Sequence, residues 1–348
     1  MAGLRHFLDE LFSAGPVPFE RFMHEALYHP EFGYYAAHVP AIGPRGDFAT
    51  SASLAPVLGT AVARWIEAEW AALPEAPAVH LVEAGPGDGH LMRRILTALP
   101  GRLRRRLRVH LAEISPRLEE AQRESLARHR KRITWHRGMD AVMEHINRTA
   151  PGPALVVSNE LVDAFPVRVF RPARTGGPAP PPDELHLTYG DDLLSEAWLP
   201  ARDVPDSTAF TAGFPAGQRL EVHDSYRRSL QSWVPRLGAG AILTIDYGGP
   251  VEDLYDRRPN GSLRAYFRHQ RFEGAGLYAR FGRQDLTADV NFSDLAAWGD
   301  GLGLETVSLC SQGEFLRRHA SPKAGVEAYL ADPRGPGEAF RVLHQRKR

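Results

Sequence analysis

The stretch His80-Leu-Val-Glu-Ala-Gly-Pro-Gly-Asp-Gly-His90 sets an apolar run ending in Glu83 directly against three alternate glycines, Gly85, Gly87 and Gly89. The amphipathic run Leu91-Met-Arg-Arg-Ile-Leu96 follows at once. This order predicts strand, tight turn and helix, because glycine takes φ > 0 freely and lets the backbone approach a ligand closely. The pattern repeats downstream. Strands are expected near residues 79–84, 107–113, 132–136, 153–158 and 240–246, and helices near 89–99, 116–129, 138–147 and 219–236. Such alternation predicts an α/β fold with a parallel, doubly wound sheet that holds a ligand at the carboxyl ends of its strands.

Residues 1 to about 72 read as a helical segment before a core of 73–348. One helix is expected from Phe19 to Leu27. A second, from Ser53 to Ala72, carries Leu54, Val57, Leu58, Val62, Trp65 and Ile66 on one face. Two insertions interrupt the core, at about 164–215 and 249–290. The first centres on the Pro- and Gly-rich Arg171 to Asp183, and its flanks (167–170, 184–189 and 194–199) alternate like an antiparallel meander. The second carries few regular signals, and long loops beside a ligand site often act as lids. The tail adds a strand at 302–310, a helix near 313–319 and a last strand at 338–345.

The glycine turn discriminates between ligands. A dinucleotide site expects G-x-G-x-x-G with pyrophosphate on the helix N-terminus. Here the spacing is one residue shorter, and Asp88 inside the turn would repel a pyrophosphate. Acids flank the turn: Glu83 two positions before the first glycine, and Glu113 at the end of the next apolar run. The combination resembles the class I S-adenosylmethionine methyltransferases, a Rossmann-like fold. In them the second acid bonds the ribose hydroxyls and the first orients the cofactor's amino-acid end. The turn has no Lys or Arg for a phosphate, and this cofactor has none.

Over nearly its whole length the chain also resembles a narrower group. The residues that carry this are Phe22-Met-His-Glu-Ala-Leu-Tyr-His-Pro-Glu-Phe-Gly-Tyr-Tyr35, Gly46-Asp-Phe-Ala-Thr-Ser51, Glu83-Ala-Gly-Pro-Gly-Asp-Gly89, Glu113-Ile-Ser-Pro116 and Ser158-Asn-Glu-Leu-Val-Asp-Ala-Phe-Pro166. Later come Ile245-Asp-Tyr-Gly248, Leu263-Arg-Ala-Tyr266, Asp285-Leu-Thr-Ala-Asp-Val-Asn-Phe292 and Ser311-Gln-Gly-Glu-Phe315. In this order they are similar to the MidA-type methyltransferases (DUF185), whose mitochondrial members are complex I assembly factors that methylate a protein arginine. The resemblance implies S-adenosyl-L-methionine as cofactor, S-adenosyl-L-homocysteine as product and a protein substrate. A small-molecule O- or N-methyltransferase and a non-catalytic assembly chaperone are the alternatives. The chain departs from the group at Asp88, where relatives carry Arg or Lys, at His90, where they carry Thr, and at Ala84, where they carry Leu.

Site candidates follow. Asn159, Glu160 and Asp163 come after the fourth strand. There Glu160 is the first candidate to orient or deprotonate a substrate nitrogen and Asp163 the second, with helix capping as the competing role for Asn159 and Asp163. Asp246 ends the fifth strand and either contacts substrate or holds the loop. Cofactor binding is expected from Asp47, Phe48, Glu83, Gly85, Gly87, Gly89, Glu113 and Asn159. Thr50 and Ser51 serve equally as helix caps. In the second insertion Arg264, Tyr266 and His269 form a substrate wall or an anion site, or else pair with acids of the lid. Asp285 and Asp289 lack a full calcium loop, and His24 and His29 lack a third metal ligand, so no metal is expected.

Composition bounds the rest. With 348 residues, 43% of them hydrophobic, the chain can bury a large core. Its zero net charge lacks the basic field of non-specific nucleic-acid binding. The run Arg102-Leu-Arg-Arg-Arg106 reads as a solvated face. The single cysteine, Cys310, suits a reducing, cytoplasmic setting in a bacterium. No run approaches the roughly 18 apolar residues of a membrane helix, and the first residues do not read as a secretory leader. Monomer and homodimer stay equally open.

Overall fold

The computed structural model describes residues 2–39, 55–172 and 181–348. The chain divides into two compact units, each assembled from three separate segments. Unit one is Met1–Val39, Val162–Arg227 and Gly249–Asp294; unit two is Pro40–Leu161, Arg228–Gly248 and Leu295–Arg348.

Unit two is built on seven strands numbered here in chain order: β1 Val79–Ala84, β2 Leu107–Ala112, β3 Ile133–His136, β4 Ala154–Asn159, β5 Gly240–Gly249, β6 Glu305–Ser311 and β7 Phe340–Lys347. They lie in the order β3-β2-β1-β4-β5-β7-β6. The first five are parallel, and β7 runs antiparallel to both β5 and β6. Every residue of β1 is buried, as expected where helices cover both faces of a parallel sheet. Leu81, Val109, Leu155 and Leu243 from four strands join one core with Leu58, Val62 and Ile66 of the Val57–Ala72 helix and with Met92 and Ile95 of the His90–Ala98 helix. This is the doubly wound sheet the alternation predicts. The helix expected over 219–236 starts later and is shorter. Leu220–Val222 is a strand paired with Arg168–Phe170, and the helix runs only from Asp224 to Trp233. The buried Glu221 carboxylate accepts the Ser262 N–H and hydroxyl, and its backbone N–H donates to the Tyr255 hydroxyl. Tertiary partners thus override a local helical preference.

A ladder of imidazoles crosses the strands of this sheet. His80 Nε2 lies 2.8 Å from the Ala150 carbonyl, His80 Nδ1 2.9 Å from His110 Nε2, and His110 Nδ1 3.0 Å from His136 Nε2. A carbonyl only accepts, so His80 Nε2 carries a proton; each later ring then donates from Nε2 and accepts at Nδ1. Burial, reinforced by neighbouring cationic groups, pushes His80 down, His110 to about 3 and His136 to about 4.

Unit one holds an antiparallel sheet of Val17–Pro18, Asp183–Gly190, Leu193–Pro200, Arg168–Arg171 and Leu220–Val222, which contains the expected meander. Arg264–Phe267, Gln270–Phe272 and Asp285–Thr287 form a second, three-stranded sheet. Strands of three or four residues are too short to show an alternating pattern, so the second insertion reads as irregular. The Phe19–Tyr28 helix buries Phe19, Phe22, Met23, Ala26 and Leu27. Among the described residues no helix is long and apolar enough to cross a membrane.

Candidate cofactor site

The turn after β1 is bent by its glycines. Gly85, Gly87 and Gly89 stand at φ 63°, 54° and 81°, a region that costs residues with a Cβ roughly 1–2 kcal/mol. A Cβ on Gly85 would meet Leu161 Cδ1 at 2.5 Å. The Gly85 N–H donates to Ala112 O at 3.0 Å, carrying the β1–β2 pairing into the turn, and Gly89 O accepts from Arg93 as the His90–Ala98 helix begins. Asp88 faces the helix start: one carboxylate oxygen accepts the His90 N–H at 3.1 Å and the other pairs with the His90 ring. The two turn positions at which the chain departs from the MidA-type pattern are therefore bonded to each other.

Two acids stand at the ends of β1 and β2. Glu83 is 2% exposed, and burial, with the Asp88 and Glu113 charges adding to it, raises its carboxyl well above the ordinary range. Its Oε2 is buried without a partner, as is Oδ1 of Asn159 at the end of β4. Buried polar atoms are normally bonded, so two orphaned acceptors at neighbouring strand ends mark places for a donor from outside the chain. Glu113 Oε1 accepts the Ser115 N–H at 2.8 Å, and Oε2 accepts from Gln122 Nε2 at 2.9 Å. Burial pushes Glu113 up to about 7 against these bonds, which favour the charged form. The arrangement fits an adenosine with an amino-acid tail. Glu113 would offer acceptors to the ribose diol, the glycines would leave room for the chain between ribose and tail, and Glu83 and Asn159 would be the acceptors for the tail's ammonium group.

The end of β4 is held from β5. Glu160 is a non-glycine residue at φ 51°. Its N–H donates to Ile245 O at 2.9 Å, and the next N–H, of Leu161, donates to Asp246 Oδ2 at 3.2 Å. Asp246 Oδ1 takes the Tyr247 N–H at 2.9 Å. Asp246 is fully buried with both oxygens on backbone donors. Asn159 Nδ2 donates to Glu160 Oε1 at 3.2 Å.

Asp163 lies beyond the boundary, in unit one, on the Val162–Ala164 turn. There the Tyr35 hydroxyl donates to Asp285 Oδ1 at 2.9 Å. Burial first, then the Asp285 and Asp163 charges, raise its phenol well above the ordinary value. Asp289 pairs with Arg258 and Arg264, and Arg264 Nε donates to the Tyr266 hydroxyl at 3.0 Å, so these residues form an internal ion network. His29 Nδ1 accepts the Glu31 and Phe32 N–H groups. Asp47, Phe48, Thr50 and Ser51 lie outside the described residues.

Gln122 is the participant the sequence hides. It is fully buried and bonds the turn, Glu113 and Trp135. A single glutamine on a polar helix carries no pattern, and only the three-dimensional neighbours reveal it.

The chain matches the Methyltransf_28 family of S-adenosyl-L-methionine-dependent methyltransferases over residues 61–310. It is similar to the mitochondrial protein arginine methyltransferase NDUFAF7 of Mus musculus, 29% identical over 356 residues that cover 94% of this chain and 75% of that protein. The Homo sapiens protein of the same name is 26% identical over 318 residues, covering 86% and 69%. A crystal structure of a COG1565 superfamily member from Burkholderia thailandensis, bound to S-adenosyl-homocysteine, aligns at TM-score 0.82 and 27% identity, covering 99% of this chain and 91% of that one. The family match spans well over half the chain, and the strand order and glycine turn agree with it: the chain belongs to this family and is an S-adenosyl-L-methionine-dependent methyltransferase.

Proposed function

We propose that the methyl acceptor is an arginine side chain of a protein. The curated relatives are named for that activity, and the observation that supports the reading here is Glu160, a carboxylate at the carboxyl end of β4 whose positive-φ backbone is flanked by two hydrogen bonds to β5. When bound, the cofactor supplies a methyl on a positively charged sulfur, open to in-line displacement. The guanidinium, with a pKa above about 12, is a poor nucleophile until polarised. The Glu160 carboxylate orients it and accepts the proton released from the nitrogen as the N–C bond forms and the S–C bond breaks. Asn159, bonded to Glu160 Oε1, fixes the carboxylate's rotation.

The test compares proteomes of a strain lacking this chain, restored with wild type or with Glu160→Gln. Wild type restores a mass gain of about 14 or 28 Da on an arginine of a particular protein, the increments of one or two methyls, and Glu160→Gln does not. A gain found only on a metabolite, or restored equally by both, refutes the proposal.

A further inference from the structure

We propose that Gln122 is a positioning residue for cofactor binding, a clamp that holds the Glu113 carboxylate and the glycine turn in one fixed relation. The proposal rests on Glu113 being the acid that receives the ribose.

The orientation of the Gln122 amide is forced. The indole N–H of Trp135 only donates, and it lies 3.1 Å from Gln122 Oε1. Nε2 therefore faces the other way, where its two hydrogens meet Gly87 O at 2.7 Å and Glu113 Oε2 at 2.9 Å. One amide thus joins the turn after β1, the end of β2 and β3, with every partner on a different chain segment. The Trp135 ring is itself held, with the Arg123 guanidinium 4.2 Å over its centroid. Backbone packing adds to the clamp, since Gln122 Cα lies 3.5 Å from where a Cβ on Gly89 would stand. The helix carrying Gln122 begins at Ser115, whose Oγ accepts the Leu118 N–H and whose own N–H occupies the other Glu113 oxygen. Both Glu113 oxygens are therefore aimed by groups of one helix.

Chain stability alone does not demand an amide here. A methionine fills similar volume without the cost of burying polar atoms. What only the amide provides is directionality: it donates to a carboxylate and a carbonyl while accepting from an indole. Asparagine is one methylene too short, and glutamate places a second carboxylate against Glu113.

The test is calorimetric titration of the full chain with S-adenosyl-L-homocysteine and with its 2′-deoxyribose analogue. Wild type prefers the natural ligand. Gln122→Met should weaken S-adenosyl-L-homocysteine by about tenfold or more and shrink the preference over the deoxy analogue, because Glu113 is no longer aimed. Gln122→Glu should bind poorly at about pH 8 and recover toward pH 6, where a shared proton restores a donor between the carboxylates. That recovery also covers the case in which Gln122→Met fails to fold. Unchanged affinity in Gln122→Met, an equal loss for both ligands, or a Gln122→Glu profile parallel to wild type overturns the clamp. Glu113→Gln is titrated alongside. If it binds as wild type does, the assignment of Glu113 fails and the site with it; if it weakens binding while the Gln122 variants do not, only the clamp fails.

Discussion

Glu160 combines a positive-φ backbone with the chemical role proposed for it, and the two separate by substitution. At φ 51° a Cβ is a liability, so Glu160→Gly should be more stable than Glu160→Ala by about 1 kcal/mol, measured by urea unfolding, while neither turns over. Equal stability would mean that the φ carries no strain. Glu113 sets a different expectation. Its carboxyl is raised to about 7, chiefly by burial, so it is protonated in the free protein below that pH and a better acceptor above it. Affinity for S-adenosyl-L-homocysteine should therefore rise from about pH 6 to pH 8, and Glu113→Gln should flatten the profile. Folding runs the opposite way for this group: the stability its raised pKa contributes is complete below about pH 4.5, declines as pH rises from about 4.5 to 7 and is gone above that. The glycines and flanking acids were legible in the sequence because their spacing encodes a turn and a strand end. Gln122 was not, because its meaning lies entirely in Gly87, Glu113 and Trp135, none of which it neighbours in sequence.

At the scale of elements, long strands and amphipathic helices announced themselves through unbroken apolar runs and helical periodicity. The three-residue strands of unit one did not, since their pairing is imposed by partners far along the chain. The histidine ladder is another property of paired strands. Its three imidazoles are held below the ordinary value of 6.5. Under acid the unfolded chain binds protons that the ladder refuses, so the ladder's contribution is complete above about pH 6.5 and declines as pH falls toward 4 and then 3. His136→Gln keeps a donor for His110 Nδ1 but cannot titrate. The unfolding free energy of wild type relative to His136→Gln should therefore fall on acidification by on the order of 1 kcal/mol per pH unit. A flat difference between about pH 7.5 and 4.5 would remove the ladder from the acid response. The comparison is needed because Glu113 and Glu221, both raised to about 7, favour the folded state in the same range. Asp246 acts at the same scale: Asp246→Ala orphans the Leu161 and Tyr247 N–H groups and should cost about 2–5 kcal/mol in thermal or urea unfolding, against little for Glu160→Gln.

At the scale of the whole molecule, the residues proposed to hold the cofactor around the glycine turn, Glu83, Glu113 and Asn159, belong to unit two, so S-adenosyl-L-homocysteine at 100 times its Kd should stabilise that unit by about 2.7 kcal/mol. Hydrogen exchange should show the added protection centred on the turn and on the helix that carries Gln122; protection confined to unit one would contradict the site. Neither length nor composition hints that Val17 pairs with Leu187, because such a pairing leaves no local signature. That pairing has a consequence for synthesis. The Val17–Pro18 strand and the apolar face of the Phe19–Tyr28 helix leave the ribosome about 170 residues ahead of their partner strand. At roughly 5–20 residues per second they wait on the order of 10–30 s, long enough that a nascent chain of this protein exposes a sticky, unfinished N-terminal segment for holdase chaperones to cover.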